Sequence, residues 1–195
     1  MRKQLATGVL LALAASTAVG EEVWQASWIG VAETSGSQAG PSTKRPDIVI
    51  QKSQERVSGT ANLWTCFRKS VTLEAAPRRA VARIAVDSKY WLWINGELVV
   101  FEGQLKRGPT PNDTYYDRVV LTGHLQKGEN TVAIRVWYYG KDGFSHKSSG
   151  QAGLVFDASI DGRPLPSDSS WKAVVHPAYG DTGPPHPNFR LPESN

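Results

Sequence analysis

The chain contains a single cysteine, Cys66, in 195 residues. A small exported domain held by disulfides carries an even set of cysteines, so this fold must be held by a hydrophobic core. Cys66 lies in the strand-like run Leu63-Trp64-Thr65-Cys66-Phe67 and reads as a buried, inert thiol. Concentrated positive charge is also missing. Removing Arg2 and Lys3 from the 22 basic residues leaves 20 against 18 acidic ones, so the formal charge falls from +4 to +2. The remaining Lys and Arg are dispersed along the sequence among Asp and Glu. Nucleic-acid binding needs a dense phosphate-neutralising surface, and the sequence offers no such run. Stretches with the 3.6-residue periodicity of an amphipathic helix are absent.

One long apolar run exists, from Leu5 to Val19, preceded by Arg2 and Lys3 and ending in Ala18-Val19-Gly20. A positive head, a short apolar stretch and small residues at the end make a secretory signal over residues 1–20, cut before Glu21. The run is too short and too Ala-rich to be read as a membrane span. The expected location is the periplasm or the extracellular space. Residues 21–175 then form one domain, and 176–195 a Pro- and Gly-rich tail leading toward a further domain.

What the chain has in quantity is alternation. Tyr90, Leu92 and Ile94 share one parity and Trp91 and Trp93 the other, and the run ends in the tight-turn pair Asn95-Gly96. Val132, Ile134, Val136 and Tyr138 oppose Ala133, Arg135, Trp137 and Tyr139. Ala80, Ala82, Ile84 and Val86 form a core face against Val81, Arg83 and Ala85. Phe67, Val71 and Leu73 share a parity in the run from Leu63 to Leu73. Further strands are expected over 23–31, 97–101, 115–121, 153–160 and 171–175. Loops are expected over 32–47, 102–114 and 140–151, and turns over 125–130 and 161–164. Short strands separated by turn signals predict an all-β fold, an antiparallel jelly-roll-like (galactose-binding-like) β-sandwich.

Two candidate sites follow. Trp91, Trp93, Trp137 and Tyr139 would gather with Arg135 on one sheet face. Such a patch either stacks on the apolar C–H faces of sugar rings or packs against other protein. The loop 140–151 offers Lys141, Asp142 and His146 to sugar hydroxyls, or is an ordinary solvated loop. The carboxylates Glu97, Glu102, Asp113, Asp117 and Asp142 show no spacing that pairs two of them across a sugar cleft, so no catalytic residue is assigned. Ca²⁺ at Asp113, Asp117 or Asp142 is unsupported by ligand spacing, and the four histidines are too dispersed for zinc. No cofactor is expected.

Several segments match a known family in order: Trp24-Gln25-Ala26-Ser27-Trp28-Ile29, Phe67-Arg68-Lys69, Tyr90-x-Leu92-x-Ile94-Asn95-Gly96, Tyr116-Asp117, Leu121-Thr122-x-x-Leu125-x-x-Gly128-Glu129-Asn130-Thr131-Val132-Ala133 and Ser167-Asp168-Ser169-Ser170-Trp171-Lys172. Together they resemble the N-terminal β-sandwich region of bacterial α-L-rhamnosidases and related multi-domain glycoside hydrolases. The resemblance implies a non-catalytic accessory module, because those enzymes carry their acid and base in a downstream helical barrel. Its implied partners are a rhamnose-containing glycan or a glycoside hydrolase catalytic domain. A self-standing lectin and a purely structural interaction module remain the alternatives.

Overall fold

The computed structural model describes residues 23–31, 51–52, 54–55, 61–105, 115–140, 142, 148–150, 152–176 and 178. The expected signal segment lies outside the described residues, as does most of the expected tail. The described residues form twelve strands, in chain order β1 (Ile29–Gly30), β2 (Gln51–Lys52), β3 (Gln54–Glu55), β4 (Leu63–Leu73), β5 (Ala80–Val86), β6 (Lys89–Ile94), β7 (Glu97–Gln104), β8 (Asp117–Val120), β9 (Gly128–Tyr138), β10 (Leu154–Ile160), β11 (Arg163–Pro166) and β12 (Lys172–Val175). They form two six-stranded antiparallel sheets. One runs β3-β1-β10-β5-β8, with β11 also paired to β10; the other runs β2-β12-β4-β9-β6-β7. The expected all-β sandwich is borne out.

The core lies where the two inner faces meet. Ala80, Ala82, Ile84 and Val86 of β5 and Leu154, Phe156, Ala158 and Ile160 of β10 face Tyr90, Leu92 and Ile94 of β6 and Val132, Ile134 and Val136 of β9. Every side chain in this set belongs to one parity of its strand, which is why the alternation located the core.

The turns are fixed by side chains as well as by φ. Asn95 and Gly96 both have positive φ (53° and 86°), the two-residue turn that matches strand twist. Asn95 also accepts from Thr131 N at 2.9 Å and donates to Asn130 Oδ1 at 2.9 Å. Buried Asn130 in turn donates to the carbonyls of Gln126 and Gly128, at 2.7 and 3.0 Å. Ser167 closes the other end. Its hydroxyl accepts from Phe156 N at 3.0 Å and donates to Ser27 O at 2.6 Å, while buried Trp171 donates from Nε1 to Pro166 O at 3.0 Å.

Three expectations are corrected, and two strands went unassigned. Only Ile29–Gly30 of the span 23–31 is a strand, because the preceding residues hydrogen-bond to single side chains and turns rather than to a ladder: Gln25 N donates to Asp157 and Ser27 N to Ser167 O. The strand from Glu97 continues to Gln104, drawn on by pairing with Lys89 and Tyr90 through register shifts. Arg163 and Pro164, expected in a turn, open β11; prolines fit because β11 pairs with β10 alone. The short strands β2 and β3 had no alternating signal and went unassigned.

One link ties the sheets together through polar atoms. The Asp117 carboxylate on β8 accepts from Tyr90 Oη at 3.1 Å and from Gln104 N at 2.7 Å, and the Gln104 amide oxygen accepts from Val86 N at 2.6 Å. The Tyr90 ring lies directly over Gly103: a Cβ there would sit 2.4 Å from the ring carbons. Since Tyr90 is fully buried and held at its hydroxyl, the ring has nowhere to go. Gly103→Ala is therefore expected to destabilise the fold by about 1–3 kcal/mol in urea unfolding, the cost of overpacking a filled core. An unchanged midpoint would contradict this account of Gly103.

Candidate functional site: the aromatic outer face

The residues left over from the core on β4, β6 and β9 build a second cluster on the outer side of their sheet. Register places Trp64 opposite Trp137, with Cys66 and Trp91 on either side of Arg135. Trp64, Trp91, Trp137 and Tyr139 are all buried, with Trp93 and Leu105 packed against them. The rings use one another's faces. Trp64 stacks on Trp137 at 4.5 Å between centroids and on Trp91 at 5.5 Å, and Tyr139 meets Trp137 edge-on at 4.5 Å. Arg135 lies over three indoles, with its Cζ 4.6 Å from Trp91, 5.3 Å from Trp93 and 5.6 Å from Trp64. Each such contact adds about 1 kcal/mol beyond area burial.

The five residues expected here, Trp91, Trp93, Arg135, Trp137 and Tyr139, thus come together. Trp64 was not among them, although its parity opposite Phe67 already put it on this face. Asn62, at positive φ, seals one end by accepting from Trp137 Nε1 at 3.0 Å. At the rim, Lys89 pairs with Glu102 at 2.8 Å. Phe101, 71% exposed, meets Trp91 edge-on at 6.5 Å.

Of the loop 140–151, Lys141 and His146 lie outside the described residues. Asp142 is exposed and accepts from Ser148 N at 3.0 Å. Buried Asp87, which sequence reasoning passed over, secures the loop's far limb. It accepts from both Ser149 N and Ser149 Oγ at 2.6 Å and from Ser88 Oγ at 2.9 Å. Of the remaining carboxylates considered from sequence, Asp113 lies outside the described residues, Glu97 pairs with His124 at 3.1 Å, and Asp117 holds Tyr90 and Gln104. Among the described residues, no group of three or more His, Cys, Asp or Glu side chains is placed to hold a metal. No described helix is long and apolar enough to cross a membrane.

Burial shapes the ionisation of the cluster. It raises the Cys66 thiol above its ordinary 9.0, against a smaller lowering by Arg135, and it raises the Tyr139 phenol, helped by Glu102. Burial and then Arg135 lower His176, whose backbone N donates to Trp64 O at 2.7 Å. The signs are opposite at the two ends of the pH scale. Neutral His176 stabilises above its ordinary 6.5, and that contribution is lost as pH falls through the lowered value. The protonated thiol and phenol stabilise fully below 9.0 and 10.0, and that contribution is lost as pH rises past them. The urea midpoint is expected to be highest between these limits, and His176→Gln to flatten the acid limb alone. A midpoint still rising above pH 10 would contradict the burial of this cluster.

No family model matches the chain, and no curated protein matches it. Solved structures do. A GH78-family rhamnosidase of Bacillus sp. GL1 is 30% identical over 78% of this chain, with a TM-score of 0.57, and the match takes up 13% of that enzyme. An α-L-rhamnosidase of Dictyoglomus thermophilum matches 80% of this chain at 20% identity and a TM-score of 0.54. A native α-L-rhamnosidase of Aspergillus terreus matches 68% at 23% identity and 0.50. These two likenesses are of fold alone. The chain spans only 13–18% of the length of these three enzymes, the extent of a single domain within a larger protein.

Proposed function

We propose that this chain is a non-catalytic accessory module of an exported α-L-rhamnosidase-type glycoside hydrolase, and that it braces a catalytic domain. The observation that carries the reading is the 30% identity to one eighth of the Bacillus rhamnosidase, in a part with the same sandwich. Export is supported by Arg2, Lys3 and the apolar run that follows them.

Bracing is favoured over sugar stacking on the aromatic face because Trp64, Trp91 and Trp137 present their rings to each other and to Arg135. What this side leaves open is its margin. Register shifts in β7 set Leu98 opposite half-buried Trp93 while Phe101 reaches Trp91, so two exposed apolar side chains, 45% and 71% accessible, stand at this edge. An apolar margin on a rigid base suits contact with another protein surface.

Mixed with a separately produced rhamnosidase barrel, the chain is expected to bind it, and Phe101→Ser to weaken that binding by about tenfold, the loss of one buried aromatic anchor. Alone it should release no rhamnose from a chromogenic rhamnoside. Turnover abolished by substituting one carboxylate would overturn the reading. Saturable heat with L-rhamnose that disappears in Trp93→Ala would replace bracing with carbohydrate binding at this face.

A further inference from the structure

The outer face of the other sheet carries a groove that the bracing reading leaves unused. It encloses about 500 Å³ between β5, β8, β10 and β11, the size of a small-ligand site. Its charge is one-sided. Arg79, Arg83 and Arg118 line it, with Asp157 as the one carboxylate among the lining residues. Sequence distance hides this grouping, since two separate segments supply the arginines, Arg79 and Arg83 around β5 and Arg118 on β8, and pairing register assembles it. Arg83 lies between Asp157 of β10 and Arg118 of β8, each directly opposite it.

Asp157 is already engaged. It takes Arg83 Nη2 at 2.6 Å and Gln25 N at 3.1 Å. Asp161 stands at the neighbouring turn, where it accepts from the backbone amides of Arg78 and Arg79, and these amides hold its carboxyl below the usual range. Arg118 is exposed on edge strand β8 and faces Arg83 across the ladder. Like charges directly opposite on adjacent strands destabilise a sheet. Asp157 offsets the Arg83 charge, and Arg83 Nη2 also donates to Val23 O at 3.1 Å, so Arg79 and Arg118 leave the groove with net positive charge for an anion that Arg83 adjoins.

The rim is aromatic. Trp24 carries the Arg83 guanidinium over its ring at 4.4 Å and meets Tyr116 edge-on at 5.3 Å. Trp24 and Tyr116 are 37% and 49% exposed, and Ser159 and Gln25 add polar atoms on the lining. Exposed aromatic faces beside hydrogen-bonding groups suit the C–H face and hydroxyls of a pyranose, and the arginines suit a carboxylate on it.

We propose that this groove binds a carboxylate-bearing saccharide, a uronate-containing glycan segment, with Arg118 and Arg83 on the carboxylate and Trp24 or Tyr116 beneath the ring. The saccharide half of the proposal rests on the glycan-hydrolase reading above; the anion half stands on the arginines alone.

The test is calorimetric titration of the full chain with trigalacturonate, against maltotriose as a neutral sugar and citrate as a carboxylate without a ring. Trigalacturonate should bind saturably and more weakly as salt is raised, with the two controls at least about tenfold weaker. Arg118→Gln should weaken binding by about tenfold while leaving the unfolding midpoint unchanged or higher, because the substitution also removes the Arg83–Arg118 repulsion. Trp24→Ala should weaken it comparably, and Phe101→Ser should not alter it. Equal binding of citrate, or insensitivity to Arg118→Gln, would overturn the proposal. Failure to bind a rhamnosidase barrel would overturn the bracing reading and leave this result standing.

Discussion

Strand β9 is covered on both faces, and most of the molecule is arranged around that constraint. Val132, Ile134 and Val136 are packed into the sandwich core, while Trp137 and Tyr139 are buried on the opposite side with Arg135 among them. A guanidinium in such a place loses much of its water, and three indole faces supply the compensating attraction. That requirement fixes what can stand beside β9. Trp64 and Trp91 must come from the two flanking strands at the register observed, because a slip of one residue would send them into the core and expose Phe67 and Leu92.

The same logic explains how much was legible beforehand. Period-two patterning located the inner faces of β5, β6 and β9, and the dipeptides Asn95-Gly96 and Asp161-Gly162 located the turns after β6 and β10, all four residues having positive φ. Strand β11 was missed because its prolines read as turn residues, and nothing in the sequence says that its outer edge needs no donors. The five aromatic-face residues lie together on the outer face of their sheet. Their stacking on one another rather than outward was not legible, since parity gives a face but not the partner a ring will choose. The three groove arginines were read as dispersed charges. Only register, which depends on which strands become neighbours, puts Arg83 between Asp157 and Arg118.

The segments that carry the family resemblance prove to be structural fastenings. Asn95 and Asn130 clamp one end of the sandwich, Ser167 joins the N-terminal segment to β10, Trp171 holds the end of β11 at Pro166, and Tyr90 with Asp117 ties the sheets together. Such residues specify a fold, and a fold hosts many uses. The two outer faces of this chain contrast. One is closed by its own tryptophans; the other is an open groove with more arginine than carboxylate.

That contrast is tested most directly by following the indole N–H signals in a nuclear magnetic resonance titration with trigalacturonate. The account predicts that the Trp24 signal shifts progressively to saturation while those of Trp64, Trp91 and Trp137 stay in place. Movement of the Trp64, Trp91 and Trp137 signals with Trp24 unmoved would contradict it, and would make the closed aromatic face the one that opens to sugar.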